Sequence, residues 1–456
     1  MYLSTRGNIS YISFQKAVLM GLATDGGLLV PAELPDMSFS LEALQNLSYP
    51  DLAVRIMNLF TDNDIPVDDL EKLVHQSYDS FDNPEVTPIV KPDSLYIMEL
   101  FHGPTLAFKD VALQFLGNLF EYILKKSHTK LNIIGATSGD TGSAAIYGVR
   151  GKDNMDIFIM HPEGRVSPIQ KRQMTTVRDD NVHNIAVKGT FDDTQKLLKE
   201  LFNDLELRET YNLAAVNSVN WARVLAQIVY YFYAYFRMQE KTGAEKVRFC
   251  VPTGNFGNVF AGYLAWRMGL PIEQLILASN ENDILANFFQ HGVYKKGEVH
   301  ATYSPSMDIQ VASNFERYLY YRAGENPAEV NKLMKQFSQT GKIKLPERDP
   351  VFAADRSTNS QTLDTIRRYY EDFNYLLDPH TAVGINVAEK FESTDIPTVC
   401  LATAHPAKFP AAIREAVGRD CAHHPEIDRI LELPSDCTSM PADKQKIAEF
   451  IANHAS

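Results

Sequence analysis

From residue 95 onward, short apolar runs alternate with longer stretches of helical periodicity, and that alternation restricts the fold more than any other feature of the chain. The runs lie at 95–100, 131–134, 157–160, 185–187, 247–251, 275–278 and 398–401, with helical patterns at 192–202, 221–237, 258–268, 281–289 and 362–373 between them. Such alternation predicts parallel strands with helices on both faces. Ligands of such sheets sit outside the carboxyl ends of the strands. Residues 1–88 read differently, with helical spacing at 14–22, 41–47, 50–60 and 67–78, and Asp25-Gly26-Gly27 turning into a short extended piece at 28–31. The expected architecture is α/β, with two open, mainly parallel sheets behind a mostly helical N-terminal domain at 1–88. A smaller α/β domain is expected at 89–190 and a larger one at 191–456.

Three strand-to-helix turns fall where ligand contacts belong. Gly135-Ala136-Thr137-Ser138-Gly139-Asp140-Thr141-Gly142 combines small and hydroxyl residues, so its backbone N–H groups can approach an anion at a helix N-terminus. A plain tight turn would also use these glycines. Pro252-Thr253-Gly254-Asn255-Phe256-Gly257-Asn258 places two glycines and two asparagines in five residues, which suits a backbone nest for a phosphate. It has neither the Lys-Ser/Thr of a nucleotide loop nor the GxGxxG spacing. The third turn, Ala402-Thr403-Ala404-His405-Pro406, reads locally as an ordinary strand end, and its place in the pattern is what singles out Thr403.

The stretch Glu99–Asp110, ELFHGPTLAFKD, ends an apolar run, turns at Gly103-Pro104 and delivers Lys109 to the start of a helical pattern at 111–126. Burial and the positive end of the helix dipole both disfavour an ammonium at such a place, which would free a nucleophilic amine. A solvated Lys-Asp pair is the competing reading. The cationic stretch that contains Arg165 and Lys171 is either a solvated face or a grip on a substrate's own phosphate. His380, beside Asp378 at the start of another helical pattern, reads as structural. A lysine of this kind, a phosphate nest and a second anion-binding turn together meet the needs of pyridoxal phosphate acting on an amino acid.

Composition narrows the partners. The 456 residues carry a net charge of −13 with 22% charged and 45% hydrophobic residues, which repels a nucleic-acid backbone and suits a globular enzyme. Cys250, Cys400, Cys421 and Cys437 show no metal-site spacing, so free thiols in the cytoplasm are expected, with no metal. No run of about 18 apolar residues predicts a membrane span.

Seven blocks in order, STRG (4–7), GLATDGGLLVP (21–31), FHGPTLAFKD (101–110), GATSGDTG (135–142), NSVNWAR (217–223), PTGNFGN (252–258) and DPHTAVG (378–384), resemble the threonine synthase family of fold type II pyridoxal-phosphate enzymes. The resemblance implies conversion of O-phospho-L-homoserine and water to L-threonine and phosphate. It makes Lys109 the Schiff-base lysine. Gly254, Asn255, Phe256, Gly257 and Asn258 match the cofactor-phosphate loop, and Thr403 the hydroxyl facing the pyridine nitrogen. Thr137, Ser138, Gly139, Asp140 and Thr141 would meet the substrate carboxylate, with Arg165 and Lys171 near the departing phosphate. A monomer or homodimer is expected. Many fold type II enzymes carry Asn where this chain has Asp140; an ionised Asp cannot donate to a phenolic oxygen, so a helix-capping or lysine-orienting role is expected of it. The rival readings are another fold type II lyase, such as a threonine dehydratase, and a binding protein of the same fold without turnover.

Overall fold

The computed structural model describes residues 1–137, 139–345, 349–391 and 395–455. Two sheets organise it. The larger has six strands in the order Phe352–Arg356, Ile272–Ser279, Val247–Pro252, Thr398–Ala402, Tyr96–Glu99 and Ile89–Val90. All pairs are parallel except the edge pair of Ile89–Val90 with Tyr96–Glu99. The smaller has five strands, all parallel, in the order Thr438–Pro441, Val182–Lys188, Met155–Pro162, Leu131–Ala136 and Leu213–Ala215. Central strands such as Met155–Pro162 and Val247–Pro252 are buried along their whole length, which is why they read as mainly apolar runs rather than strictly alternating ones.

The two sheets do not follow the expected division of the chain. Tyr96–Glu99, from the segment 89–190, lies in the larger sheet between Thr398–Ala402 and Ile89–Val90. Leu213–Ala215 and Thr438–Pro441, from 191–456, complete the smaller sheet. Short strands from distant parts of the chain carry little in their own sequence to say which sheet they join, and Thr438–Pro441 is largely exposed at its sheet's edge, so tertiary packing chooses their neighbours.

Residues 1–78 carry the helices Phe14–Met20, Tyr49–Thr61 and Val67–Tyr78, together with an antiparallel pair of Tyr2–Ser4 with Leu29–Pro31. The pair is clasped to the rest of the molecule. Thr5 Oγ1 donates to Glu316 at 2.7 Å, Arg6 makes a forked ion pair with the same carboxylate at 3.0 and 3.1 Å, and the fully buried Arg317 donates to Leu29 O. At the centre runs Trp221–Thr242, buried on all sides along its first four turns. Asn220 caps its start and Gly243, in the left-handed region at φ 70°, closes its end.

Candidate active site

Lys109 is the first residue of the helix Lys109–Ser127, and its side chain is buried. The turn that aims it is held from within and from outside. Asp110 accepts from Thr105 N at 2.8 Å and Thr105 Oγ1 at 2.7 Å, closing 105–110 into a loop. Gly103 is required beneath that carboxylate, since a Cβ would lie 2.4 Å from Asp110 Cβ. From outside, Phe108 N donates to Thr403 O at 2.9 Å and His405 N to Leu106 O at 3.1 Å, so the turn after Thr398–Ala402 is stitched to the lysine turn.

Lys109 Nζ lies 3.2 Å from Asp140 Oδ2 and 3.4 Å from Ser306 Oγ. Burial pushes its amine below the usual lysine range, against the attraction of Asp140; Lys408 and Arg223 push the same way as burial. Asp140 is buried, which would favour the neutral acid, yet Lys109 and Lys408 hold its carboxyl well below the usual carboxylate range. It opens the helix Asp140–Val149, and Gln170 Nε2 donates to its Oδ1 at 2.8 Å.

The loop after Val247–Pro252 enters the helix Gly257–Arg267 through Phe256 in the left-handed region, φ 65°. The Phe256 ring is buried among Phe289, Phe315 and Tyr318, anchoring the loop from behind and leaving only its backbone to face a ligand. The first N–H groups of the helix have no intrahelical acceptor. Asn255 O accepts from Asn314 N at 3.1 Å, while Gly254 packs so closely that a Cβ would meet Ser306 O at 2.7 Å. The Asn258 carbonyl oxygen Oδ1 accepts from Tyr230 and Tyr231 hydroxyls at 2.6 and 2.9 Å, and the Asn258 Nδ2 is buried without a partner among the described residues.

These parts converge. One cavity is lined by Lys109, Asp140, Thr141, Thr403, the loop 252–258, Arg223, Ser306 and His380. His380 Nε2 accepts from Ser306 N at 3.3 Å and its Nδ1 faces Asp378 Oδ1 at 2.8 Å, so Nδ1 carries the proton. Thr137 is turned inward: its Oγ1 accepts from Gly139 N and Gly142 N, both at 3.0 Å. Gly139, at φ 147°, leaves no room for a Cβ beside Gln170. Ser138 lies outside the described residues. Arg165 and Lys171 do not reach the site; both are exposed on the segment beyond Met155–Pro162 and neither lines the cavity.

Besides Lys109, Arg223 does line it. It is 4% exposed, its Nε and Nη1 have no partner among the described residues, and burial pushes its guanidinium down to about 10. A buried guanidinium with idle donors is a costly arrangement that an incoming anion relieves. The signal was present in the sequence, since Arg223 is the only charge between Trp221 and Phe236 in an otherwise apolar and aromatic helix. Ser306 sits in the short 3-10 turn Pro305–Met307, with no such mark.

The whole chain is similar to known proteins. A family model described as "Threonine synthase N terminus" matches residues 1–78, "Pyridoxal-phosphate dependent enzyme" matches 82–343, and "Threonine synthase, C-terminal" matches 381–451. The chain is 50% identical to a threonine synthase of Schizosaccharomyces pombe, with 91% of this chain and 89% of that relative covered. It is 45% identical to one of Pseudomonas aeruginosa over 100% and 98%. A crystal structure of pyridoxal-phosphate-bound threonine synthase from Brucella melitensis superposes with a TM-score of 0.95 at 44% identity, covering 100% of this chain and 99% of that one.

Proposed function

Because the chain belongs to the threonine synthase family and is a pyridoxal-phosphate-dependent lyase that forms L-threonine from O-phospho-L-homoserine, we propose how its own residues divide that work. The observation that carries the assignment is the convergence of Lys109, the 254–258 loop, Thr403 and the unpaired Arg223 on one cavity.

The residues present fit the cofactor. Among the described residues Asn258 Nδ2 is a buried donor without a partner, the helix beside it opens with N–H groups that have no intrahelical acceptor, and a buried lysine lines the same cavity. Lys109 is the attachment point, Gly254 through Asn258 hold the phosphate by backbone and amide, and Thr403 offers its hydroxyl to the ring nitrogen. When bound, pyridoxal phosphate supplies the electron sink that lets protons leave the α and β carbons of the substrate.

The chain does the rest by positioning and proton transfer. The start of the Asp140–Val149 helix, with Gly139 and Thr141, takes the substrate's α-carboxylate at the positive end of the helix dipole. Arg223 takes the substrate phosphate with its idle Nε and Nη1, holding the leaving group through departure and setting a local positive field against the overall charge of −13. Lys109 would accept and return protons at the α and β carbons of the substrate; its lowered basicity suits both directions. Water then adds at the β carbon. The larger sheet thus carries the phosphate loop and the smaller one the carboxylate turn, with Lys109 on the helix between them. Four cysteines without a disulfide support a cytoplasmic setting, and no helix among the described residues is long and apolar enough to cross a membrane.

The test is phosphate release from O-phospho-L-homoserine by the wild-type chain and by Lys109→Ala. The wild type is expected to turn over, and Lys109→Ala to lose about 10²- to 10⁴-fold or more, together with the absorbance of the lysine-bound cofactor. A Lys109→Ala protein that keeps turnover, or a coloured wild type that releases no phosphate, refutes the assignment.

A further inference from the structure

Lys408 ends the short 3-10 turn Pro406–Lys408, five positions beyond Thr403, and its side chain is fully buried. It does not line the cavity. Its ammonium lies 2.9 Å from Asp140 Oδ1 and donates to Thr105 O at 2.7 Å. One carboxylate therefore sits between two ammonium groups. Oδ1 takes Lys408 and Gln170, while Oδ2 takes Lys109 at 3.2 Å and Ser306 at 3.3 Å. The bond to Lys408 is the shorter of the two. A neutral donor could tie Asp140 to Thr105 equally well, and burying an ammonium is expensive; what lysine adds at this place is positive charge.

The charged and titratable groups around this pair come from five segments. Asp140 opens its own helix, Arg223 approaches from Trp221–Thr242, His380 from Pro379–Glu389, Asp110 lies next to Lys109 on Lys109–Ser127, and Lys408 comes from the turn after Thr403. Asp110 spends its carboxyl on Thr105, and burial pushes it above the usual carboxylate range. Asp140 is thus the acceptor that Lys109 must share. We propose that Lys408 is a positioning residue of the reaction: by bonding Asp140 Oδ1 and Thr105 O it fixes the carboxylate against Lys109 and claims most of its charge, leaving Lys109 free to work as a neutral amine. The inference rests on Lys109 being the cofactor lysine. It assigns Asp140 its role as well, as the shared counter-charge that orients Lys109.

The test uses the full chain with Lys408→Met, Lys408→Arg and Asp140→Asn. The first readout is the pH midpoint for capture of added pyridoxal phosphate by the cofactor-stripped protein, followed by absorbance; the second is the pH profile of kcat. Losing a neighbouring cation and leaving Asp140 to Lys109 alone shifts a pKa by about 1 to 3 units. Lys408→Met is therefore expected to raise the capture midpoint by at least one unit and to lower kcat near neutral pH about tenfold per unit, with recovery at higher pH and little change in KM. Lys408→Arg is expected to keep the midpoint near that of the wild type. Asp140→Asn is expected to lower it, and this variant decides the matter should Lys408→Met fail to fold. A folded Lys408→Met with an unmoved or lowered midpoint overturns the proposal, as does an unmoved midpoint in Asp140→Asn. Capture by Lys109→Ala with an unchanged spectrum would instead overturn the assignment of Lys109 itself.

Discussion

The helices that begin at Lys109 and Asp140 touch far from either residue, at a crossing where two glycines meet. A Cβ on Gly117 would lie 1.9 Å from Gly148 O, and a Cβ on Gly148 would lie 2.4 Å from Leu113 O. Carbon–oxygen contacts of this kind settle at roughly 3.3 to 3.6 Å, so Gly117→Ala must drive Lys109–Ser127 and Asp140–Val149 apart by roughly 1.5 Å there. Both obstacles are backbone, which cannot swing aside as a side chain can. Overpacking costs about 1 to 3 kcal/mol, and the better helix propensity of alanine returns at most about 1 kcal/mol. Lys109 lies eight residues before Gly117 and Asp140 eight before Gly148, a rise of roughly 12 Å along each helix. Separation at the crossing therefore opens the 3.2 Å contact at the helix starts. A misplacement near 1 Å can cost about 10²-fold in rate. Gly117→Ala is thus expected to lower Tm by a few degrees and kcat by one to two orders of magnitude, read by calorimetry and phosphate release. The Gly117→Ala/Gly148→Ala double variant should lose less than the two single losses combined, because one separation relieves both clashes. Single variants with Tm within a degree of wild type and kcat within twofold would refute the idea that this crossing sets the site.

Two further outcomes follow from buried charge. Arg223→Leu removes the cation assigned to the substrate phosphate, so kcat/KM should fall about 10²-fold, given about 1.5 to 3 kcal/mol for a charged hydrogen bond, while inorganic phosphate inhibits more weakly and cofactor absorbance remains; the same change should raise Tm without ligand by deleting an unpaired buried guanidinium. His405 is pushed down to about 4, mainly by burial and then by His424. As pH falls, the unfolded chain takes up its proton first, near 6.5, so His405 draws stability away between about pH 6.5 and 4, by up to about 3 kcal/mol. Urea unfolding at pH 7.5 and 5 should show a smaller acid loss in His405→Asn than in the wild type, and equal losses would remove His405 as a source of acid sensitivity.

Local signals in the chain were sufficient for the strand-to-helix turns, because a parallel strand buried on both faces must be an apolar run and an anion nest must be built from small residues. Lys109, the 252–258 loop and Thr403 all stood at such places and meet at one cavity. Helical spacing within residues 1–88 and the short extended piece at 28–31 were legible from the sequence; the strand Tyr2–Ser4 that pairs with Leu29–Pro31 was not. Strand partners were not legible. Tyr96–Glu99 joins Thr398–Ala402 across some 300 residues, and an apolar strand carries no mark of the sheet it will enter.

Charges divided in the same way. Arg165, Lys171, Arg223 and Lys408 are all plain in the sequence, but a cation's role depends on the water and the counter-charges around it, which are properties of the folded molecule. Packing leaves the first two in solvent, where their charge is screened. It buries Arg223 with idle donors and Lys408 against Asp140, where low dielectric makes the same charge strong. The sequence by itself determined the class of fold and singled out Lys109 as the candidate cofactor lysine; tertiary structure alone decided which cations are buried beside it, because burial is a property of packing that no local stretch of sequence carries.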